Sequence, residues 1–257
     1  MPAFAGMTQK GIKMKNKKTQ SGFTLVEMGI VIVIIALLIG GVLKGREVLG
    51  EAQITSVVST IKSVDMATKA FVDLYAYLPG DIPATPGPGN IIPNCGAPCN
   101  TAGDGDFTID NAGGAALGTV VAANGEGHVA FLNLAAAGLY MGISPAGGIT
   151  FGSGLPKAAI GGGFWMGSSN GTTNALTSGL SPSAGNYLVL NGSVATVTTT
   201  TGKLTAEQTA QIDLKIDDGI PTSGIIYWAG RGGCVAAGAY ARTDINKRCT
   251  VYARILN

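Results

Sequence analysis

One carboxylate, Glu27, sits inside the apolar run from Phe23 to Leu43, and the chemistry open to it is ion pairing, because an anion in such a segment requires a cation or a proton. Two further acidic groups have the oxygen-rich character that suits a hard cation such as Ca²⁺. In the first, Asp104, Asp106, Thr108 and Asp110 place oxygens at alternating positions of a Gly-Asp-Gly-Asp loop; the second is Asp213, Asp217 and Asp218 near the C-terminus. The first lacks the full EF-hand spacing and its terminal bidentate Glu, so a solvated acidic turn is its plainer reading. For the second, the plainer reading is capping of a helix end and a turn through Asp217-Asp218-Gly219.

Catalytic sets are poorly represented. His128 is the sole histidine, and it is expected to lie on a helix surface or satisfy a local hydrogen bond. Gly125-Glu126-Gly127-His128-Val129-Ala130 matches a dinucleotide-binding string, but no acid lies about twenty residues on, and the match is read as chance. The four cysteines, Cys95, Cys99, Cys234 and Cys249, are spaced too loosely for a four-Cys zinc centre. They allow three disulfide pairings, of which the local one, Cys95 with Cys99 and Cys234 with Cys249, is expected. Trp165, Tyr227 and Trp228 are read as core or subunit interface, and no catalytic residue is assigned.

The elements that position these groups begin with the apolar run. Its 21 residues would span ~30 Å as a helix, the thickness of a bilayer's hydrocarbon core. Five lysines (Lys10, Lys13, Lys15, Lys17, Lys18) and no acid precede it, whereas Lys44 and Arg46 are soon balanced by Glu47 and Glu51. That asymmetry puts the N-terminus in the cytoplasm and the remainder across the membrane, where the cysteines meet an oxidising compartment. A secretory signal has its small cleavage residue after the apolar core; here Gly22 precedes it, so a cut there would remove residues 1–22 and keep the helix. Loss of the five lysines leaves 12 Lys and Arg against 15 acids, which does not suit nucleic-acid binding. The 40 glycines follow no G-X-Y period and suggest a loop-rich exported domain.

Past the membrane, Ile54, Val57, Val58, Ile61, Val64, Ala67, Phe71, Leu74, Tyr75 and Leu78 recur at three- and four-residue steps, the pattern of an amphipathic helix over 44–78 continuing the first. Leu78-Pro79-Gly80-Asp81 breaks it, and Gly40, Gly41, Gly45 and Gly50 would let it bend. The rest, 79–257, reads as a globular head. It has a loop over 81–100, a helix over 127–139, loops and short strands over 140–184 and a hairpin at Tyr187 to Val197 around Asn191-Gly192. A capping box at Thr205 to Gln208 opens a helix to Ile216, and strands close the chain at 224–229 and 249–255.

Ser21-Gly22-Phe23-Thr24-Leu25-Val26-Glu27 resembles the processing motif of the type IV pilin and type II secretion pseudopilin family, and all seven residues fit. Met14-Lys15-Asn16-Lys17-Lys18 is similar to a typical start in that family. The resemblance implies cleavage by prepilin peptidase between Gly22 and Phe23, methylation of Phe23, and a pairing of Glu27 with the N-terminal amine of a neighbouring subunit. It implies an α+β pilin-like fold, in which a long helix with transmembrane and amphipathic halves packs on a mainly antiparallel sheet with Gly-rich loops. Many pilins staple a C-terminal loop with a disulfide, and major pseudopilins carry a calcium loop near the C-terminus. The Leu78–Asp81 break, the Gly-Asp-Gly-Asp loop, the Glu126 to Leu139 helix and Asp217-Asp218-Gly219-Ile220-Pro221 together resemble a looser group of bacterial pilin-like proteins.

The function expected is therefore a structural filament subunit of a pilus or secretion pseudopilus. It would be held in the inner membrane with its head in the periplasm, then extracted by an assembly platform with an ATPase to join copies of itself and other pilin-like subunits. A head of near 180 residues is large beside many major pilins and points to a minor or specialised subunit. The rival is a membrane-anchored exported binding module, with calcium as its candidate ion, that does not polymerise. No cofactor is required by either reading.

Overall fold

The computed structural model describes residues 22–110, 117, 122–171, 182–194, 201–229 and 233–256. The chain divides into two compact units, Met1–Val48 and Leu49–Asn257. The first helix, α1 (Leu25–Tyr75), is 51 residues long and is, among the described residues, the one helix long and apolar enough to cross a membrane.

Helix α1 starts two residues after Phe23 and stops three short of Leu78, each for a local reason. Thr24 forms the cap at its start, and Ala76 at its end takes a left-handed φ of 59°, which a helix cannot continue through. Helical hydrogen bonding continues through Gly40, Gly41, Gly45 and Gly50, so the glycines do not end the helix. Every described residue from Gly22 to Leu49 is exposed, as suits a segment whose proper solvent is lipid.

In the second unit α1 turns amphipathic as its spacing predicts: Ile54, Val57, Val58, Ile61, Val64, Ala67 and Phe71 are buried. Burying a side chain such as Ile54 or Phe71 contributes about 2 kcal/mol each. Leu74, placed on the same stripe by its spacing, is instead exposed, because the helix is about to end and the core has moved on to Leu78 and Ile82. These residues join one continuous core with the strands.

The sheet has the order β1-β2-β6-β3, all neighbours antiparallel, from β1 (Gly163–Ser169), β2 (Gly185–Asn191), β3 (Ile226–Ala229) and β6 (Thr250–Arg254). Strands β1, β2 and β6 are buried at nearly every position, so both faces of the sheet are covered. Trp165 and Trp228 are core residues and Tyr227 is half-buried. Strand β2 pairs with β1 and β6 and stops at Asn191, and residues 192–194 form no strand. The second arm of the expected hairpin lies largely outside the described residues.

Helix α3 (Glu126–Ala136) falls where the sequence placed a helix, ending three residues earlier, and packs on β1. Its Asn133 is wholly buried; Oδ1 accepts from Gly80 N–H at 2.8 Å and Nδ2 donates to the Cys99 carbonyl at 2.9 Å. One side chain thereby secures the end of the α1 break and the Cys95–Cys99 disulfide. The loop expected over 81–100 contains one short helical turn, α2 (Pro88–Ile91). Helix α4 (Ala206–Ile216) opens with the expected capping box, Thr205 and Gln208 each bonding the other's backbone N–H. A two-stranded ribbon, β4 (Val235–Ala236) with β5 (Ala239–Tyr240), lies inside the loop closed by Cys234–Cys249.

Candidate functional site

Glu27 is the third residue of α1, and both hydrogen bonds it accepts come from Thr24: the backbone N–H at 2.8 Å and the hydroxyl at 3.0 Å, each to Oε2. Thr24 Oγ1 in turn accepts from Glu27 N–H at 3.2 Å. Thr24-x-x-Glu27 is thus a capping box, which satisfies orphan amides at the helix start and places an anion at the positive end of the helix dipole. An anion in an apolar run requires a partner, and the fold supplies a local one for Oε2, signalled in the sequence by the S/T-x-x-E spacing. Phe23, on which the new amine would form, immediately precedes this cap and is exposed.

In the head, the acidic loop is organised by two carboxylates that lie outside its own sequence, Asp81 and Glu126. Asp81 Oδ1 accepts from Gly105 N–H at 2.6 Å and Oδ2 from Phe107 N–H at 2.7 Å. Glu126 Oε1 accepts from Asp104 N–H at 3.2 Å and Oε2 from Asp110 N–H at 2.8 Å. Asp81 is 1% and Glu126 9% exposed, and ligand atoms of Asp81, Asp104 and Glu126 lie within 4.8 Å of one another. Gly103 packs so closely that a Cβ would lie 2.6 Å from Asp81 Cα and 2.7 Å from Glu126 Oε1. Burial drives the Glu126 carboxyl up to about 7, aided by Asp81 and Asp110 and opposed by the two amide bonds; burial also raises Asp81.

Of the expected ligands in this loop, Asp104 joins the buried pair. Asp106 Oδ1 is occupied by the backbone N–H and hydroxyl of Thr108, each at 2.7 Å. Asp110 enters through its N–H to Glu126, and with Asp104 and Glu126 it borders a cavity of about 300 Å³. Neither Asp81 nor Glu126 could be found by spacing, since they lie about twenty residues before and after the loop they hold.

Asp213, Asp217 and Asp218 do converge, again with ligand atoms within 4.8 Å of one another. Asp213 is fully buried; its Oδ2 accepts from the Tyr240 hydroxyl at 2.6 Å and, among the described residues, its Oδ1 has no hydrogen-bond partner. Asp217, the C-cap of α4, accepts from Ile225 N–H and from Ile226 N–H at Oδ2. Asp218 accepts from Ile220 N–H at 2.8 Å and Ser223 Oγ at 2.5 Å. Among the described residues no Lys or Arg pairs with any of the three, although the C-terminal end of a helix favours cations. Burial raises the Asp213 carboxyl to about 6, with the neighbouring Asp217 and Asp218 adding to the rise.

His128 is buried, not on a helix surface, and its Nε2 meets the Gly147 carbonyl at 3.1 Å, a hydrogen bond of the kind expected. Burial lowers its pKa, and Nδ1 has no partner. Both local disulfides are formed, so no cysteine is free for zinc.

Residues 17–43 match the model of the prokaryotic N-terminal methylation motif, the signature of type IV pilins and pseudopilins. No curated protein and no solved structure matches the chain. The motif implies processing by prepilin peptidase and pilin-like assembly, and with the apolar helix it fits anchoring in a membrane.

Proposed function

We propose that this chain is a structural, non-catalytic subunit of a pilus or secretion-pseudopilus filament, cut between Gly22 and Phe23 and methylated on Phe23. The observation that carries the proposal is Glu27. It lies in the matched motif, in an exposed apolar helix, and its local bonds both fall on Oε2. Oε1 is then available to an ammonium, and in a lipid-like medium such a pair attracts far more strongly than in water. The cation is the amine that cleavage creates on a neighbouring copy; pairing the two offsets the cost of the anion only when subunits stack in register. Before assembly the subunit resides in the inner membrane with its head in the periplasm, and an assembly platform with its ATPase supplies the work of extraction.

Two measurements test this reading. Mass analysis of the mature N-terminus should find methylated Phe23, and a product retaining the lysine-bearing leader would overturn it. Glu27→Ala should abolish filaments while leaving membrane insertion intact; a variant that polymerises normally would overturn the role given to Glu27, and a wild-type chain that inserts but forms no filaments would leave only the anchored module.

A calcium-holding head is compatible with either fate and is favoured by Asp213, whose buried Oδ1 has no hydrogen-bond partner among the described residues and whose carboxylate lies close to those of Asp217 and Asp218. Calcium takes oxygen donors alone, which is what Asp213, Asp217 and Asp218 provide.

A further inference from the structure

We infer that the tip formed by Asp104, Asp106 and Phe107 of one copy docks onto the segment Ile245, Lys247 and Arg248 of a neighbouring copy, an inference that rests on the filament reading above. Phe107 is a large apolar side chain that the fold leaves 55% exposed, and it is held there at a cost. Its φ of 66° lies in the left-handed region that a non-glycine residue seldom adopts. Its N–H is committed to Asp81 and its carbonyl accepts from Asn186 Nδ2 at 3.2 Å, so the aromatic ring is presented on a backbone fixed from both sides. Asp104 and Asp106 are exposed beside it.

The complementary surface has the same design with the opposite charge. Ile245 is 85% exposed, Lys247 and Arg248 are exposed next to it, and the adjacent Cys249 is anchored by its disulfide to Cys234. The backbone of Arg248 is packed against Gly202, where a Cβ would approach to 2.3 Å, so this segment too is fixed before any partner arrives. Asp244, the acid within it, accepts from the N–H and side-chain amide of Asn246. Among the described residues no hydrogen bond or ion pair joins the two surfaces within one chain. Asp244 lies near enough to Arg248 to feel its charge, so the segment is basic by one charge in excess and the tip is acidic by two. Each offers an apolar anchor beside charge of opposite sign to the other, and each has its backbone ordered in advance. Two unlike patches that match one another make a head-to-tail contact, and a head-to-tail contact that does not close on itself propagates as a helical filament.

The test uses the full chain in producing cells. The four native cysteines are bridged, so Phe107→Cys with Ile245→Cys introduces the free thiols. A thiol-specific crosslinker should give a ladder of covalent multimers with both substitutions and none with either alone. Independently, the exposed pair Lys247→Glu with Arg248→Glu should cut filament yield by about tenfold, with recovery when Asp104→Lys and Asp106→Lys are added. Wild-type yield from the Lys247→Glu, Arg248→Glu chain, or filaments without a ladder from the two-cysteine chain, would overturn the inference and leave the filament reading intact. Failure of the filament reading is separately visible, as an unmodified chain that inserts in the membrane and forms no filaments.

Discussion

The Tyr240 hydroxyl donates to Asp213 Oδ2 at 2.6 Å across 27 residues of sequence, joining the disulfide-closed ribbon to helix α4. Among the described residues the other oxygen of the same carboxylate has no hydrogen-bond partner, and the Gly219 backbone amide also favours the anion. Tyr240→Phe would leave Asp213 buried with only the Gly219 backbone amide to favour its charge. It should destabilise the head by about 1 to 3 kcal/mol, read as a fall in the denaturant midpoint with an unchanged slope. Adding Asp213→Asn to that variant should recover part of the loss, because the uncompensated charge is then gone.

Calcium should act on the same carboxylate with the opposite sense. In detergent-solubilised protein at neutral pH, millimolar Ca²⁺ is expected to raise the melting temperature, by the mass-action term for a ligand that binds only the folded state. Asp213→Asn should remove that response. A response that survives the substitution would place the ion elsewhere.

Glu126 sets a pH dependence whose sign follows from its raised pKa. Between its ordinary value of 4.5 and about 7 the folded head holds a proton that the unfolded chain has released. Stability from this group is therefore greatest at the acid end of that window and is lost as pH rises through about 7. Asp81 is shifted in the same direction. The melting temperature should fall from pH 5 to pH 8, and Glu126→Gln should flatten that slope; an unaltered slope would refute the assignment.

Thr24 should matter to the helix start before it matters to assembly. Replacing it with Val removes the hydroxyl that both donates to Oε2 and accepts from Glu27 N–H, a loss of about 1 kcal/mol at a helix N-terminus. Filament yield is expected to drop by a smaller factor than with Glu27→Ala, since the carboxylate itself remains. Equal effects of the two variants would show that the cap and the intersubunit pair are one device.

The two disulfides should differ in worth because they close loops of different size. Cys234–Cys249 spans 15 residues and should contribute about 3 kcal/mol; Cys95–Cys99 spans 4 and should contribute about 2. Paired Cys→Ser variants, compared by chemical denaturation, test the order.

What the sequence determined by itself is whatever is written in contiguous residues. A 21-residue apolar run, a one-sided lysine leader, a three-and-four stripe from Ile54 to Phe71, and the Thr205–Gln208 box each specify a local structure through hydropathy, helix period or capping. The processing motif is of this kind, and so are the α+β class and the local disulfide pairing. The tertiary structure decided what depends on distant segments meeting. It brought Asp81 and Glu126 to the two sides of the 103–110 loop, Asn133 to Gly80 and Cys99, and Tyr240 to Asp213. It also buried His128 and left Leu74 and Phe107 exposed. A buried carboxylate finds its donors among backbone amides, which every residue except proline carries alike. No residue type or spacing therefore announces such a contact, and only the packing of loops against helix ends determines which amides it meets.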